Sequence, residues 1–318
     1  MPDAAGTAAM RIGLNLPTWP LRDGSYAGWP QMRRLALEAE AMGVDTLWVP
    51  DHLQRETAGR GVFGFHECWT LLAAAAEATT RIEIGPFIAC TGFRNPALLA
   101  KMAMTLDEVS GGRVVLGLGS GVPERDPSWR AFGFDTSRPI RRYAESAEVV
   151  TRLLRDEAPV TFEGELVQAY GAQLIPRGPR PTGIPVLMAG AGDRTLRIAA
   201  RFGDLVNVNR ALASVTDAAE VVASARAAAE AEGRSAEMPG ITGWARIAVD
   251  DTGIAVPKPG TLAGGPAAVA ATIAGIRAEG VSHLTMYVGA ADDPSPLPAL
   301  TDASLAAFAP FLAAIRAA

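Results

Sequence analysis

This chain of 318 residues is short of several things, and each shortage narrows what it can be. Two cysteines, Cys68 and Cys90, are too few for a disulfide framework, so a reducing cytoplasm is expected. Only Lys101 and Lys258 are lysines; arginine carries the rest of the positive charge. With abundant alanine, that composition suggests a high-GC bacterial genome. The net charge of −5 lacks the basic excess of a nucleic-acid-binding surface. No apolar run reaches the roughly 18 residues that a membrane helix needs. The opening MPDAAGTAAM has neither the basic nor the apolar region of a signal peptide, so residues 1–10 are expected to be a flexible tail. Histidine is scarce as well, with three in the chain.

Against these shortages, 49% of the residues are hydrophobic and 20% charged, the balance of an ordinary globular protein. Short apolar runs alternate with amphipathic helical runs, the pattern of βα units on a parallel sheet. RIGLNL (Arg11 to Leu16) is the first strand, followed by a helix with Pro30 in its first turn and Gly43 as its stop. DTLWVP is the second strand, RIEIGPFIA the third and RVVLGLG the fourth. The glycine-rich, aromatic stretch from Arg55 to Glu67 reads as a loop. A helix from Pro139 to Asp156 precedes VTFEGELVQAYGAQLIP, whose period-two alternation predicts a β-excursion. IPVLMAG, DLVNVN, ITGWARIAV and SHLTMYV complete eight strands, with a Pro/Gly-rich stretch from Asp250 to Pro266 before the last. The fold class expected is α/β: one (β/α)8 TIM barrel over residues 1–318, with an insertion after strand 4.

In such barrels the chemistry sits at the carboxyl ends of the strands. Asp51 and His52, Cys90, Gly119 to Gly121, Gly190 to Gly192, and Asn207 with Asn209 all fall at strand ends and should share one mouth. His52 is the candidate acid/base, because a neutral imidazole near pH 7 can take or give a proton; it could equally be bonded to a backbone carbonyl. His66 lies in the loop above the second helix, and His283 opens the last strand as a structural residue. No metal site is expected, since HEC at His66 to Cys68 lacks the HExxH spacing. Cys90 reads as a small apolar filler.

GLGSG, Gly117 to Gly121, lets a backbone approach a flat or anionic ligand, or simply makes a tight turn at the rim. A dinucleotide fingerprint fails, because Val122 stands where the third glycine belongs. In AGAGDRT, Gly190, Ala191 and Gly192 leave amides free, Thr195 adds a hydroxyl, and a helix begins there. Its N-terminus suits a phosphate; the other reading is a glycine-permitted loop capped by Asp193. Pro86 has no N–H for a central ladder, which predicts an irregularity in the third strand.

Together VPDHLQ, IEIGPFIACTGFRNPALLAKMAMTLDEVSGGRVVLGLGSG, AFGFDTSRPIRRYAESAEVV, FEGELVQ and MAGAGDRTLRIAARFGD resemble the luciferase-like flavin-dependent oxidoreductases. The resemblance runs from Arg11 to about Val288. It implies a TIM barrel that binds FMN or the deazaflavin coenzyme F420, a small-molecule substrate and a homodimer. The Asp-His-aliphatic-Gln string looks most like the F420-dependent branch, where the histidine handles the proton accompanying hydride transfer. That makes His52 catalytic and Asp51 a cofactor contact. It also implies a cis peptide near Phe87–Ile88, with Ile88, Cys90 and Thr91 along the cofactor. Gly117, Gly119, Ser120 and Gly121 would match the strand-four glycine turn, and Gly190, Ala191, Gly192 and Thr195 the phosphate turn.

Two departures bear on the substrate. Val122 replaces the glutamate of the sugar-phosphate dehydrogenases, with Glu124 two residues on, and Glu56 replaces their tryptophan. Phe63, Phe65, Trp69 and Phe93 could make an apolar pocket instead, or be ordinary core. The expectation is hydride transfer between F420 and a fairly apolar substrate. The alternatives are an FMN-dependent monooxygenase and a non-catalytic flavin-binding protein.

Overall fold

The computed structural model describes residues 9–57, 61–180, 182–234, 239–249, 260–289 and 298–318. The elements run β1 (Arg11–Asn15), α1 (Trp29–Ala41), β2 (Thr46–Val49), β3 (Gln54–Thr57), β4 (Gly61–Gly64), α2 (Cys68–Ala78), β5 (Glu83–Pro86), β6 (Ala89–Cys90), α3 (Pro96–Ser110) and β7 (Leu116–Gly119). There follow α4 (Ser128–Ala131), α5 (Pro139–Arg155), β8 (Val160–Glu163), β9 (Gln168–Ala172), β10 (Val186–Ala189), α6 (Asp193–Phe202), β11 (Leu205–Ala211) and α7 (Val215–Ala231). Last come β12 (Gly240–Ala248), β13 (Thr261–Leu262), α8 (Pro266–Ala278), β14 (Val281–Gly289) and α9 (Asp302–Ala317).

The main sheet runs β5-β2-β1-β14-β12-β11-β10-β7-β6, with parallel pairing throughout. β5 and β6 are two pieces of one stave. The ring closes where both meet the β7 stave, through the Ile84–Val114 bridge and the Ala89–Leu118 pair. Eight staves result, as the alternating pattern predicted. Helices cover their outer faces, so stave residues are buried on both sides and read as apolar runs; all four residues of β2 are buried. α5 turns Tyr143, Ala147, Val150 and Leu154 inward at helical spacing. The capping of α3 matches its sequence: Asn95 accepts from the amides of Ala97 and Leu98, Pro96 takes the first position, and Gly111 closes the helix at φ 68°. No helix among the described residues is long and apolar enough to cross a membrane.

The third stave breaks where Pro86 predicted an irregularity, and the peptide between Phe87 and Ile88 is cis. Glycines permit the close approach beside it. A Cβ on Gly85 would stand 2.0 Å from the Val115 carbonyl oxygen, and one on Gly117 would stand 2.2 Å from that of Pro86. The β8–β9 hairpin lies between α5 and β10, so the predicted excursion after the fourth stave is present.

One expectation needs correcting. The stretch from Arg55 to Glu67, read as a loop, contains the antiparallel β3–β4 hairpin and the turn into α2. The reason is tertiary: Phe65 packs against Trp19 at 6.1 Å, support that a four-residue strand cannot signal in its own sequence. Most of the expected tail, residues 1–8, lies outside the described residues, as do residues 250–259 of the Pro/Gly-rich stretch. Beyond that stretch, β13 adds a short pairing to β12.

The two ends of the described chain meet. β14 pairs with β1, and Arg316 of α9 donates to the Met10 carbonyl at 2.7 Å, the Gly43 carbonyl at 2.9 Å and the Asp45 carboxylate at 2.5 Å.

Candidate active site

β2 ends at Val49 and delivers His52 to the mouth. Its Nδ1 lies 2.8 Å from Oδ2 of Asp126, and its Nε2 lies 3.4 Å from Nη1 of Arg55. A carboxylate can only accept and a guanidinium can only donate. The neutral imidazole therefore carries its proton on Nδ1 and turns the Nε2 lone pair toward the cation. The Phe65 ring packs on it at 5.2 Å. The His52 side chain keeps 34% exposure against 9% for Asp126, so the imidazole reaches solvent while its partner does not. Burial pushes the Asp126 carboxyl up, but hydrogen bonds from His52 and Ser128 outweigh it and hold the group below the ordinary carboxylate value.

Ser128 fastens the loop after β7 to the one after β2. Its amide donates to Asp126 at 2.9 Å, while its hydroxyl donates to the Gln54 carbonyl at 2.8 Å and accepts from the Gln54 amide at 2.9 Å. Asp126 was not legible in sequence. Its one local signal, an acid before Pro-Ser at a helix start, points to capping.

Asp51 is buried and saturated. It accepts from the Cys90 amide at 2.9 Å and from both Nη atoms of Arg94 at 2.6 and 3.0 Å, while Arg94 also reaches Glu67 at 2.9 Å. Its carboxylate thus ties β2 to the β6 end. Burial pushes the Cys90 thiol up to about 12, which leaves it un-ionised and in keeping with a filler role. The Thr91 hydroxyl donates to the Gly119 carbonyl at 3.0 Å, and Ile88 packs with the barrel layer of Trp48, Phe87, Val115 and Leu187.

The glycines of GLGSG serve different ends. Gly117 is spaced against Pro86, whereas Gly119 and Ser120 are half-buried at the rim. Gly121 has φ 66°, and a Cβ there would strike Trp129 and the Cys90 sulfur. At the other turn, the amides of Ala191 and Gly192 donate to the Thr195 hydroxyl at 3.1 and 3.2 Å. Gly190 lets α6 sit close, because its Cβ would lie 2.6 Å from the Thr195 backbone.

The four candidate pocket aromatics separate. Phe63 and Phe65 join Trp19, Tyr287 and Trp244 beside His52. Phe93 packs with Trp129 and Phe134. Trp69 belongs to the main core, with the Arg94 guanidinium 5.9 Å over its ring. His66 bonds the Ala27 carbonyl at 3.2 Å, and His283 is buried with Nε2 3.3 Å from the Thr46 hydroxyl.

Two polar groups that the sequence reading passed over lie near the end of β1. The Asn15 carboxamide and the Thr18 hydroxyl are buried; the Asn15 side chain interacts with the Tyr287 hydroxyl, and the Thr18 hydroxyl has no hydrogen-bond partner among the described residues. Asn207 instead bonds the Thr242 hydroxyl at 3.0 Å and accepts from the Asn209 amide at 2.8 Å. Beside the His52–Asp126 pair opens a groove of about 980 Å³, bordered by Glu56, Glu124, Arg125 and Arg130.

A family profile described as luciferase-like monooxygenase matches residues 10–256. The chain is 36% identical over 173 residues to an F420-dependent glucose-6-phosphate dehydrogenase of Intrasporangium calvum, covering 53% of this chain and 50% of that protein. It is 32% identical over 189 residues to a 4-hydroxyprotoasukamycin monooxygenase of Streptomyces nodosus subsp. asukaensis, covering 59% and 49%. The chain spans about half the length of the curated relatives it matches. Among solved structures, an F420-dependent secondary alcohol dehydrogenase in complex with an F420-acetone adduct superposes with a TM-score of 0.76 at 20% identity, over 97% of this chain and 100% of that one.

Proposed function

Because the chain belongs to the luciferase-like monooxygenase family, we propose that it is an F420-dependent oxidoreductase that exchanges a hydride with a small, fairly apolar organic substrate. The observation that carries this reading is His52, fixed as one tautomer at a rim shared with the β7 and β10 turns. The F420 dependence of the similar glucose-6-phosphate dehydrogenase of Intrasporangium calvum supports the choice of cofactor.

The residues present suit such a ring. Asn15 offers a buried carboxamide, with the Tyr287 hydroxyl beside it, as donor and acceptor for the polar edge of a fused heterocycle. Ile88 and the Gly119 turn would flank the ring, and the first turn of α6 with Thr195 would hold its phosphate end. When bound, the deazaflavin supplies the carbon that carries the hydride. His52 takes or returns the proton through Nε2, and Asp126 steadies the imidazolium formed when that nitrogen is protonated. Arg55 sits on the same nitrogen and must yield when a substrate oxygen arrives. Phe63, Phe65 and Trp19 give that substrate an apolar wall.

The second reading is an FMN-dependent monooxygenase, favoured by the likeness to the monooxygenase from Streptomyces nodosus. Titration of the purified protein with F420 and, separately, FMN tests the choice through the absorption change of each chromophore. Saturable F420 binding is the expected result; tight FMN binding with none of F420 overturns the proposal.

The outward face of α3 supports a homodimer. Leu98 and Val109 are exposed at 55% and 52%, and Trp69, Ala73 and Met102 line a hollow of about 280 Å³ on the same side. The two buried cysteines suit a reducing cytoplasm.

A further inference from the structure

Outside the barrel mouth, a crevice of about 320 Å³ opens between α3 and α5, beneath the turn of the β8–β9 hairpin. Its walls are the link from β6 into α3 (residues 91–96), Arg142 and Ser146 of α5, and residues 166–168 of the hairpin. The roof is anchored: Glu145, itself buried, accepts from the amides of Glu165, Leu166 and Val167 at 3.1, 2.8 and 3.0 Å.

Arg142 and Ser146 are four residues apart, so they share one face of α5. The Ser146 side chain is fully buried at 0% exposure, and its hydroxyl has no hydrogen-bond partner among the described residues. A helical serine ordinarily satisfies that hydroxyl on the carbonyl one turn back. The Nε of Arg142 is likewise buried and unpartnered, although its Nη2 holds Asp135. Among the described residues, two guanidinium groups line the crevice and no carboxylate does. Arg94, the other cation, is committed to Asp51 and Glu67. Asn95 already caps the first amides of α3, so that helix contributes the field of its N-terminus rather than hydrogen bonds.

Two buried donors beside a cation, neither with a hydrogen-bond partner among the described residues, define what is missing. We propose that this crevice is a binding subsite for a small oxyanion, a phosphate or carboxylate group on a compact polar molecule, with Arg142 Nε and the Ser146 hydroxyl as its donors. Neither donor is among the candidate cofactor contacts at the barrel mouth, so the proposal does not depend on which cofactor the mouth takes.

Isothermal titration of the full chain with inorganic phosphate, and separately with glutarate, tests this at low ionic strength with chloride as the background anion. Saturable one-to-one binding is expected for at least one of the two. Response to phosphate alone marks a phosphoryl ligand, and response to glutarate alone a carboxylate. Ser146→Ala and Arg142→Met should each weaken that binding about tenfold or more, with F420 or FMN titrations unchanged. Ser146→Ala removes a hydroxyl that bonds nothing, so its melting temperature should not fall, which separates lost binding from lost folding. No saturable binding of either anion overturns the proposal, as does binding that survives both substitutions.

Discussion

His52 is held from two sides by groups of opposite hydrogen-bonding character, and both can be removed one at a time. His52→Ala should cut turnover roughly 10²-fold or more while cofactor affinity stays within a few-fold, read by steady-state kinetics beside a binding titration. Asp126→Asn keeps the shape but can also present a donor to Nδ1, which frees the tautomer; a loss of about tenfold or more is expected. Normal turnover in His52→Ala would remove the imidazole from the chemistry. His52 was legible because it follows a buried strand directly. Asp126 was not, because its link to His52 spans 74 positions and its other bond, to the Ser128 amide, is the capping that its neighbours suggested.

His283 is the second residue with a measurable consequence. Burial, with the charge of Arg11 added, pushes it down from 6.5 to about 3. The folded chain thus refuses a proton that the unfolded chain takes below about pH 6.5. Its contribution to stability is complete above that pH and falls as acid is added, down to the folded value near 3. The slope for one proton is at most about 1.4 kcal/mol per pH unit. Urea unfolding at pH 7 and pH 5 should therefore show a larger acid loss in the native protein than in His283→Gln, by about 2 kcal/mol. Equal losses would mean that the ring is reached by water.

At the scale of elements, the pinch between β5 and β7 is the most constrained contact. Gly117→Ala would put a methyl group on the Pro86 carbonyl oxygen, so one of the two staves must move. A destabilisation of about 1–3 kcal/mol is expected from the urea midpoint. A change under about 0.5 kcal/mol would show that the staves yield freely. The break in the third stave was readable from Pro86, because a missing donor is a property of one residue. The β8–β9 hairpin was readable from its alternation. The β3–β4 hairpin was not: glycines at both ends of β4 blur the period, and the packing of Phe65 on Trp19 is distant in sequence. The same distance scatters Phe63, Trp69 and Phe93 into three clusters that composition alone would pool.

For the molecule as a whole, the ring was legible because eight alternating units leave few other closures, and strand direction then fixes which rim is the mouth. How copies meet rests on a surface rather than a pattern. Light scattering should give twice the chain mass for the native protein and the single mass for Leu98→Glu combined with Val109→Glu. A native protein that runs as a single chain removes the dimer reading. The pairing of β1 with β14, fastened by Arg316, has a consequence for synthesis on the ribosome. The β1 stave emerges ahead of β14 and must wait, one edge bare, until some 270 further residues have been translated. Half-made chains therefore carry an open template for strand addition, and chaperone demand should last until β14 has been made.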